Sequence, residues 1–181
     1  IPAALFMMVS KTIIKNFALT GITPADVLYK TNNSLCENNE KNMFVTAIMG
    51  SLDLNSGEII YSNAGHNTPI ICRKETVCEW MKSNPSFVLG GVEDIEYKNN
   101  KEILKPGDKL FLYTDGVTEA VDSRGNLYSN ERLYNTLNEF SKEIEIKEML
   151  QGIKNDVEVF SSGAEQADDI TILVVEYRGR D

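Results

Sequence analysis

The feature that most constrains the fold is the order in which the hydrophobic period changes along the chain. In IPAALFMMVSKTIIKNFAL the residues Ala4, Leu5, Met8, Ile13 and Phe17 recur at near-helical intervals, and Gly21 stops the run. A second helical stretch, TPADVLYKTNNSLCENN, opens with Thr23 as N-cap and Pro24 at the first helical position. From Met43 the pattern shortens to β-branched and aromatic runs. MFVTAIMGSLDL and EIIYSNA flank a hairpin turn at Asn55-Ser56-Gly57, and TPIICR, TVCEW, IEYKNNKEIL and KLFLYT come after them. Pro106-Gly107-Asp108 makes a turn immediately before the last of these. Helical spacing returns in NERLYNTLNEFSK and EIKEMLQGIKNDVEVF, and DDITILVVEYR closes the chain as an apolar strand. Blocks in the order helices, strands, helices, strand argue against alternating βαβ units. They predict an α+β fold, a largely antiparallel meander of strands covered by helices.

With 181 residues, 42% of them apolar and 25% charged, the chain can bury one sizeable core, so a single domain over 1–181 is expected. Eighteen basic residues against 27 acidic ones give a net charge of −9, which argues against nucleic acid or an anionic membrane as partner. Most of that charge serves solubility. Cys36, Cys72 and Cys78 form an odd set with no CxxC pair, so neither a disulfide framework nor a zinc site is expected, and a reducing cytoplasm fits best. No apolar stretch approaches the roughly 18 residues of a membrane span. The chain starts without methionine, already inside an apolar helix, so further natural sequence is expected upstream.

Within KLFLYTDGVTEA an apolar run ends in the lone carboxylate Asp115, with Gly116 next to it. A carboxylate at the end of a buried strand is costly unless something positive meets it, and a metal ion is the simplest such partner. Gly116 permits a sharp turn and close backbone approach, and leaves room for a short helix over VTEAV. The plain alternative is an ordinary Asp-Gly turn or N-cap. A dehalogenase-like phosphotransferase needs a second Asp two residues on, where Val117 stands. A kinase magnesium site needs a glycine-rich phosphate loop that is absent, and an aspartic protease needs paired carboxylates in turns of another residue order.

QADDITILVV repeats the pattern, with Asp168 and Asp169 standing before an apolar strand. If KLFLYT and ITILVV neighbour each other in one sheet, one cation can neutralise both ends. Magnesium or manganese suits such oxygen ligands and keeps several waters. Adjacent side chains on extended backbone diverge, so only one of Asp168 and Asp169 is expected to ligate. A solvated loop is the alternative.

Read together, IPAALFMM, MFVTAIMGSLDLNSGEIIYSNAGHNTPI, ILKPGDKLFLYTDGVTEA, the NERL segment and ADDITILVV resemble the SpoIIE/RsbU-type branch of the PPM family, the bacterial metal-dependent serine/threonine phosphatases. The resemblance covers nearly the whole chain, and the combination of AGHN, PGD, YTDG and DDIT is far more specific than any one motif. It implies a four-layer αββα sandwich with a binuclear manganese or magnesium centre at one end of two packed sheets. It assigns metal ligation to Asp115 and Asp168, and water activated by the metals as the nucleophile. It also implies a phosphoserine or phosphothreonine substrate on a small regulatory protein, an anti-sigma-factor antagonist, and a switch role for the first two helices beneath an upstream regulatory domain.

The GGDFYD-like and GDVSGKG-like segments of that family are missing, and IPAALFMM corresponds to the stretch directly downstream of the second. The expectation is therefore an N-terminally truncated domain with half of its metal site, inactive or impaired by itself, with an exposed sheet edge open to homodimer formation. The competing function is a phosphatase-like docking module without catalysis. Asp169 and Gly116 are alternative or supporting ligand positions, and Glu119, four residues beyond Asp115, is a candidate for support or simply an exposed helical Glu. His66, the sole histidine, sits in a turn at Asn63-Ala64-Gly65-His66-Asn67 and is given no catalytic role.

Overall fold

A computed structural model describes residues 2–37, 39, 41–84, 86–140, 143–166 and 168–180. Within the sequence stretches named so far, Ile1, Asn38, Ser141, Lys142 and Ala167 lie outside the described residues. The elements run α1 (Pro2–Ala18), α2 (Pro24–Cys36), β1 (Ala47–Leu52), β2 (Glu58–Ala64), β3 (Ile70–Cys72), β4 (Cys78–Trp80), β5 (Asn100–Ile103), β6 (Lys109–Tyr113), α3 (Asp115–Thr118), α4 (Ser129–Glu139), α5 (Ile146–Phe160) and β7 (Ile172–Glu176). The chain divides into two units, residues 1–66 with 82–103, and residues 67–81 with 104–181.

In the first unit the strands are ordered β1-β2-β5, all antiparallel. The β1–β2 hairpin closes as its turn residues demand. Asp53 accepts hydrogen bonds from the amides of Asn55 and Ser56, and Gly57 takes a left-handed φ of 75°. Thr23 caps α2 by accepting from the Asp26 amide at 3.3 Å, with Pro24 in the first turn. Leu28 and Leu35 of α2 pack with Ala64, Leu89 and Tyr97 in the core of this unit. Complete burial of a leucine such as Leu28 is worth about 2 kcal/mol.

The inner face of α1 differs from the expected one. Phe6, Ile13 and Ile14 pack against the core and Ser10 is buried, whereas Leu5 and Met8 are 61% and 58% exposed. Residues 3–9 are nearly all apolar, so their period marks a helix without selecting its buried side.

The second unit holds a four-stranded antiparallel sheet in the order β4-β3-β6-β7. On α4, Leu133 and Leu137 are four residues apart, and on α5 Met149, Ile153 and Val157 repeat that spacing. All five join Ile70, Phe111 and Val174 in one core. The helices are joined by polar bonds as well. Asp156 of α5 takes 2.7 Å and 3.2 Å bonds from the Arg132 guanidinium, which also covers the rings of Tyr128 and Phe160. Hydrogen bonds from Arg132, Tyr128 and Thr136 hold the Asp156 carboxyl at about 2, against the opposing effect of burial.

Cys72 and Cys78 are register partners on β3 and β4 and are joined by a disulfide, which corrects the expectation of no bridge. The connection through residues 73–77 folds the two onto each other, a pairing that an odd cysteine count conceals. The cysteine argument for a reducing compartment goes with it. Among the described residues no helix is long and apolar enough to cross a membrane. Each unit thus combines helices with an antiparallel sheet, α1 and α2 in the first and α3, α4 and α5 in the second, and the strand series is split between two sheets, as the family resemblance implied and a single meander did not.

Candidate active site

β6 is an interior strand of the second sheet, and its antiparallel pairing with β7 places Tyr113 opposite Ile172. The expected neighbour relation of KLFLYT and ITILVV is therefore present. One residue beyond each strand, two threonines extend the ladder. The Thr114 amide donates to the Thr171 carbonyl at 3.0 Å, and the Thr171 amide donates to the Thr114 hydroxyl at 3.0 Å. That hydroxyl also donates to the Asp169 carbonyl at 3.2 Å. Thr114 thereby binds the segment after β6 to the segment before β7. Sequence reasoning did not single it out, although a hydroxyl residue at a strand end beside an Asp was the available signal.

Asp115 opens α3, two residues before the start expected from VTEAV. Its carboxylate accepts from the Gly116 amide at 3.0 Å, and its carbonyl accepts from the Glu119 amide at 2.8 Å. Asp168 uses one carboxylate oxygen to accept from the Asp169 amide at 2.7 Å, and its carbonyl accepts from the Gln166 side chain at 2.8 Å. All three aspartates are exposed. The desolvation cost expected for a carboxylate on a buried strand is not incurred, because β6 ends before Asp115 and the side chain leaves the sheet for solvent.

Gly116 is the tightest point of the arrangement. A Cβ there would lie 2.4 Å from the Asp169 carbonyl oxygen and 2.9 Å from its carbon, so only glycine lets the segment carrying Asp168 and Asp169 pass against α3. Gly116→Ala is expected to cost about 1–3 kcal/mol, because the obstacle is backbone rather than a flexible side chain. It should also displace Asp168 and Asp169 relative to Asp115 by enough to lower any activity of this edge about 100-fold. Urea unfolding checks the first effect and catalytic turnover the second.

The segments carrying Asp115-Gly116 and Asp168-Asp169 are thus brought together through their backbones, while Glu119 stands exposed at the far end of α3. His66 belongs to the first unit. Its amide donates to Asn63 at 2.7 Å and its ring nitrogen Nδ1 lies 3.2 Å from the Thr46 hydroxyl, so it shapes a turn as expected. Behind the edge, the Tyr113 hydroxyl donates to Asn130 at 2.9 Å. Burial pushes that phenol up to about 12, opposed in part by a hydrogen bond with Asn67.

The family described as Stage II sporulation protein E (SpoIIE) matches the chain over residues 1–178. The chain belongs to the SpoIIE family. It is 31% identical over 127 residues to the phosphoserine phosphatase RsbU of Bacillus subtilis, covering 70% of this chain and 38% of that protein. The chain therefore spans well under half the length of that curated relative. The SiaA-PP2C domain of Pseudomonas aeruginosa superposes with a TM-score of 0.83 over 97% of this chain and 70% of that one, at 19% identity. The phosphatase domain of the cell fate determinant SpoIIE from B. subtilis, Mn presoaked, gives a TM-score of 0.67 over 95% of this chain and 74% of that one, at 17% identity. These likenesses establish the PP2C-type α+β fold expected from the motifs.

A SpoIIE-type centre for manganese or magnesium calls for hard oxygen donors, and the exposed carboxylates of Asp115, Asp168 and Asp169 are of that kind. Such ions retain several waters, so these residues fit one flank of a centre. Among the described residues no group of three His, Cys, Asp or Glu side chains is placed to hold an ion.

Proposed function

We propose that this SpoIIE-family protein hydrolyses phosphoserine or phosphothreonine on a regulatory protein in a metal-dependent reaction. The observation that carries this reading is the meeting of the backbone segments that carry Asp115 and Asp168, fastened by Thr114 and spaced by Gly116. In this reading Asp115 and Asp168 hold Mn2+ or Mg2+, with Asp169 and Glu119 as supporting positions. Further ligands, needed for a binuclear centre, come from outside the 181 residues. The ions supply Lewis acidity toward water and neutralise phosphoryl charge. The chain's own part is positional. Thr114 holds the two acidic segments in register, and Gly116 keeps the space beside Asp115 clear.

The substrate we assign is an anti-sigma-factor antagonist, by family analogy. We place the reaction in the cytoplasm by family analogy alone. The exposed Leu5, Met8 and Val9 side of α1 is assigned to an upstream regulatory domain or a second copy of the chain. A docking module without catalysis is the second reading, favoured by the lack of a three-ligand group among the described residues.

The test is phosphate release from a phosphoserine protein by the full-length protein with Mn2+, beside residues 1–181 alone. Turnover by the full-length protein and little by 1–181 is expected, whereas none in either, with metal bound, selects the docking module. In the same protein Asp168→Asn should weaken Mn2+ about 100-fold and Asp169→Asn less than 10-fold. The reverse order, read by metal titration, would exchange their assignments.

A further inference from the structure

Beside Asp115, within the second unit, lies a groove of about 510 Å³, within the range of ligand sites. One wall is α5, with Leu150 and Val157, and the other runs from Gly116 to Val121. Ile170 and Ile172, which lead from the aspartate pair into β7, complete the lining. The groove is therefore continuous with the acidic edge, since Gly116 and Ile170 adjoin Asp115 and Asp169. Its rim carries Lys154, Glu158 and Glu165. Lys154 pairs with Glu158 at 3.5 Å, so Glu165 leaves the rim with net negative charge.

We infer that this groove takes the residues flanking the phosphorylated serine or threonine, an aliphatic side chain against Leu150 and Ile172 with a basic residue near Glu165. The inference rests on the phosphatase reading above. An apolar slot opening onto the edge that would receive the phosphoryl group gives a peptide binding contacts remote from the reacting bond. Such contacts hold the phosphoester in place without touching it. An aryl phosphate, with no flanking residues, reaches the edge but leaves the groove empty.

The experiment uses the full-length Mn2+-loaded protein and three substrates: p-nitrophenyl phosphate and two phosphoserine decapeptides. One peptide carries Leu and Lys within two to four residues of the phosphoserine on both sides, and the other carries Ala and Glu at the same positions. The Leu/Lys peptide is expected to show a KM about 10-fold lower. Ala164→Trp, which fills the groove, should abolish that difference, and Glu165→Lys, at an exposed position, should remove the share due to lysine. Turnover of p-nitrophenyl phosphate should stay within about two-fold in both variants. Equal KM values for the two peptides, or a preference that survives both variants, would overturn the inference, as would parallel loss of p-nitrophenyl phosphate turnover in Glu165→Lys. If the unmodified protein hydrolyses none of the three, the phosphatase reading fails separately. Fluorescence titration with the labelled peptides then decides the groove by the same preference and the same two variants.

Discussion

In the full-length protein, Asp115→Asn is expected to lower Mn2+-dependent kcat/KM toward a phosphoserine substrate by about 1,000-fold, equivalent to roughly 4 kcal/mol of lost transition-state stabilisation. Asparagine is nearly isosteric but neutral, so it removes a hard anionic donor while preserving shape. The fold has little invested in the charge. The Asp115 side chain is exposed and accepts from the Gly116 amide next to it, while the turn of α3 hangs on the Asp115 carbonyl. An asparagine oxygen can accept the same amide, so stability should change by no more than about 0.5 kcal/mol. The diagnostic result is lost turnover and weakened Mn2+ binding with an unchanged melting temperature. Full activity in this variant would remove Asp115 from the centre, and inactivity accompanied by unfolding would make it a structural residue.

That the two acidic segments meet was legible because each abuts an apolar run long enough to declare itself a strand, and two carboxylates at strand ends are an unusual coincidence. What made them meet was less visible. Strand pairing is non-local, so nothing in the local pattern of IEYKNNKEIL says that β5 lies against β2 while β6 inserts between β3 and β7. The pairing of Cys72 with Cys78 is local, six residues apart, and was hidden instead by the odd cysteine count and by the unread register of β3 and β4. The side of α1 that turns inward was hidden by a different one. Where Leu5, Phe6, Met7, Met8 and Val9 are all apolar, periodicity carries no phase, and tertiary packing chooses Phe6. Thr114 and Gly116 show the limit at the site itself. Glycine beside an Asp allowed both a turn and a close approach, and only the Asp169 carbonyl at 2.4 Å from its missing Cβ identifies what approaches.

The largest stability effect is expected at Asp108 of the Pro106-Gly107-Asp108 turn. Its side chain is 2% exposed, and it accepts from the Lys105 amide at 2.9 Å, the Lys74 amide at 3.0 Å and the Arg73 guanidinium at 2.9 Å. Asp108→Ala strands both amides and leaves Arg73, itself only 18% exposed, with Glu79 on the outer side. Removing one partner of such a pair costs about 3–5 kcal/mol, readable in urea unfolding. Asp108→Asn keeps an acceptor oxygen and should cost about 2 kcal/mol. Burial pushes the Asp108 carboxyl up, but the two amides and Arg73 outweigh it and hold the group below its ordinary 3.8. A carboxyl depressed in the folded state contributes fully above its unfolded pKa and loses that contribution as pH falls through the folded one. The gap between the parent protein and Asp108→Asn should therefore be constant at neutral pH and narrow below about pH 4. A gap that persisted unchanged to low pH would assign the stabilisation to oxygen geometry alone, with no share for the charge that meets Arg73.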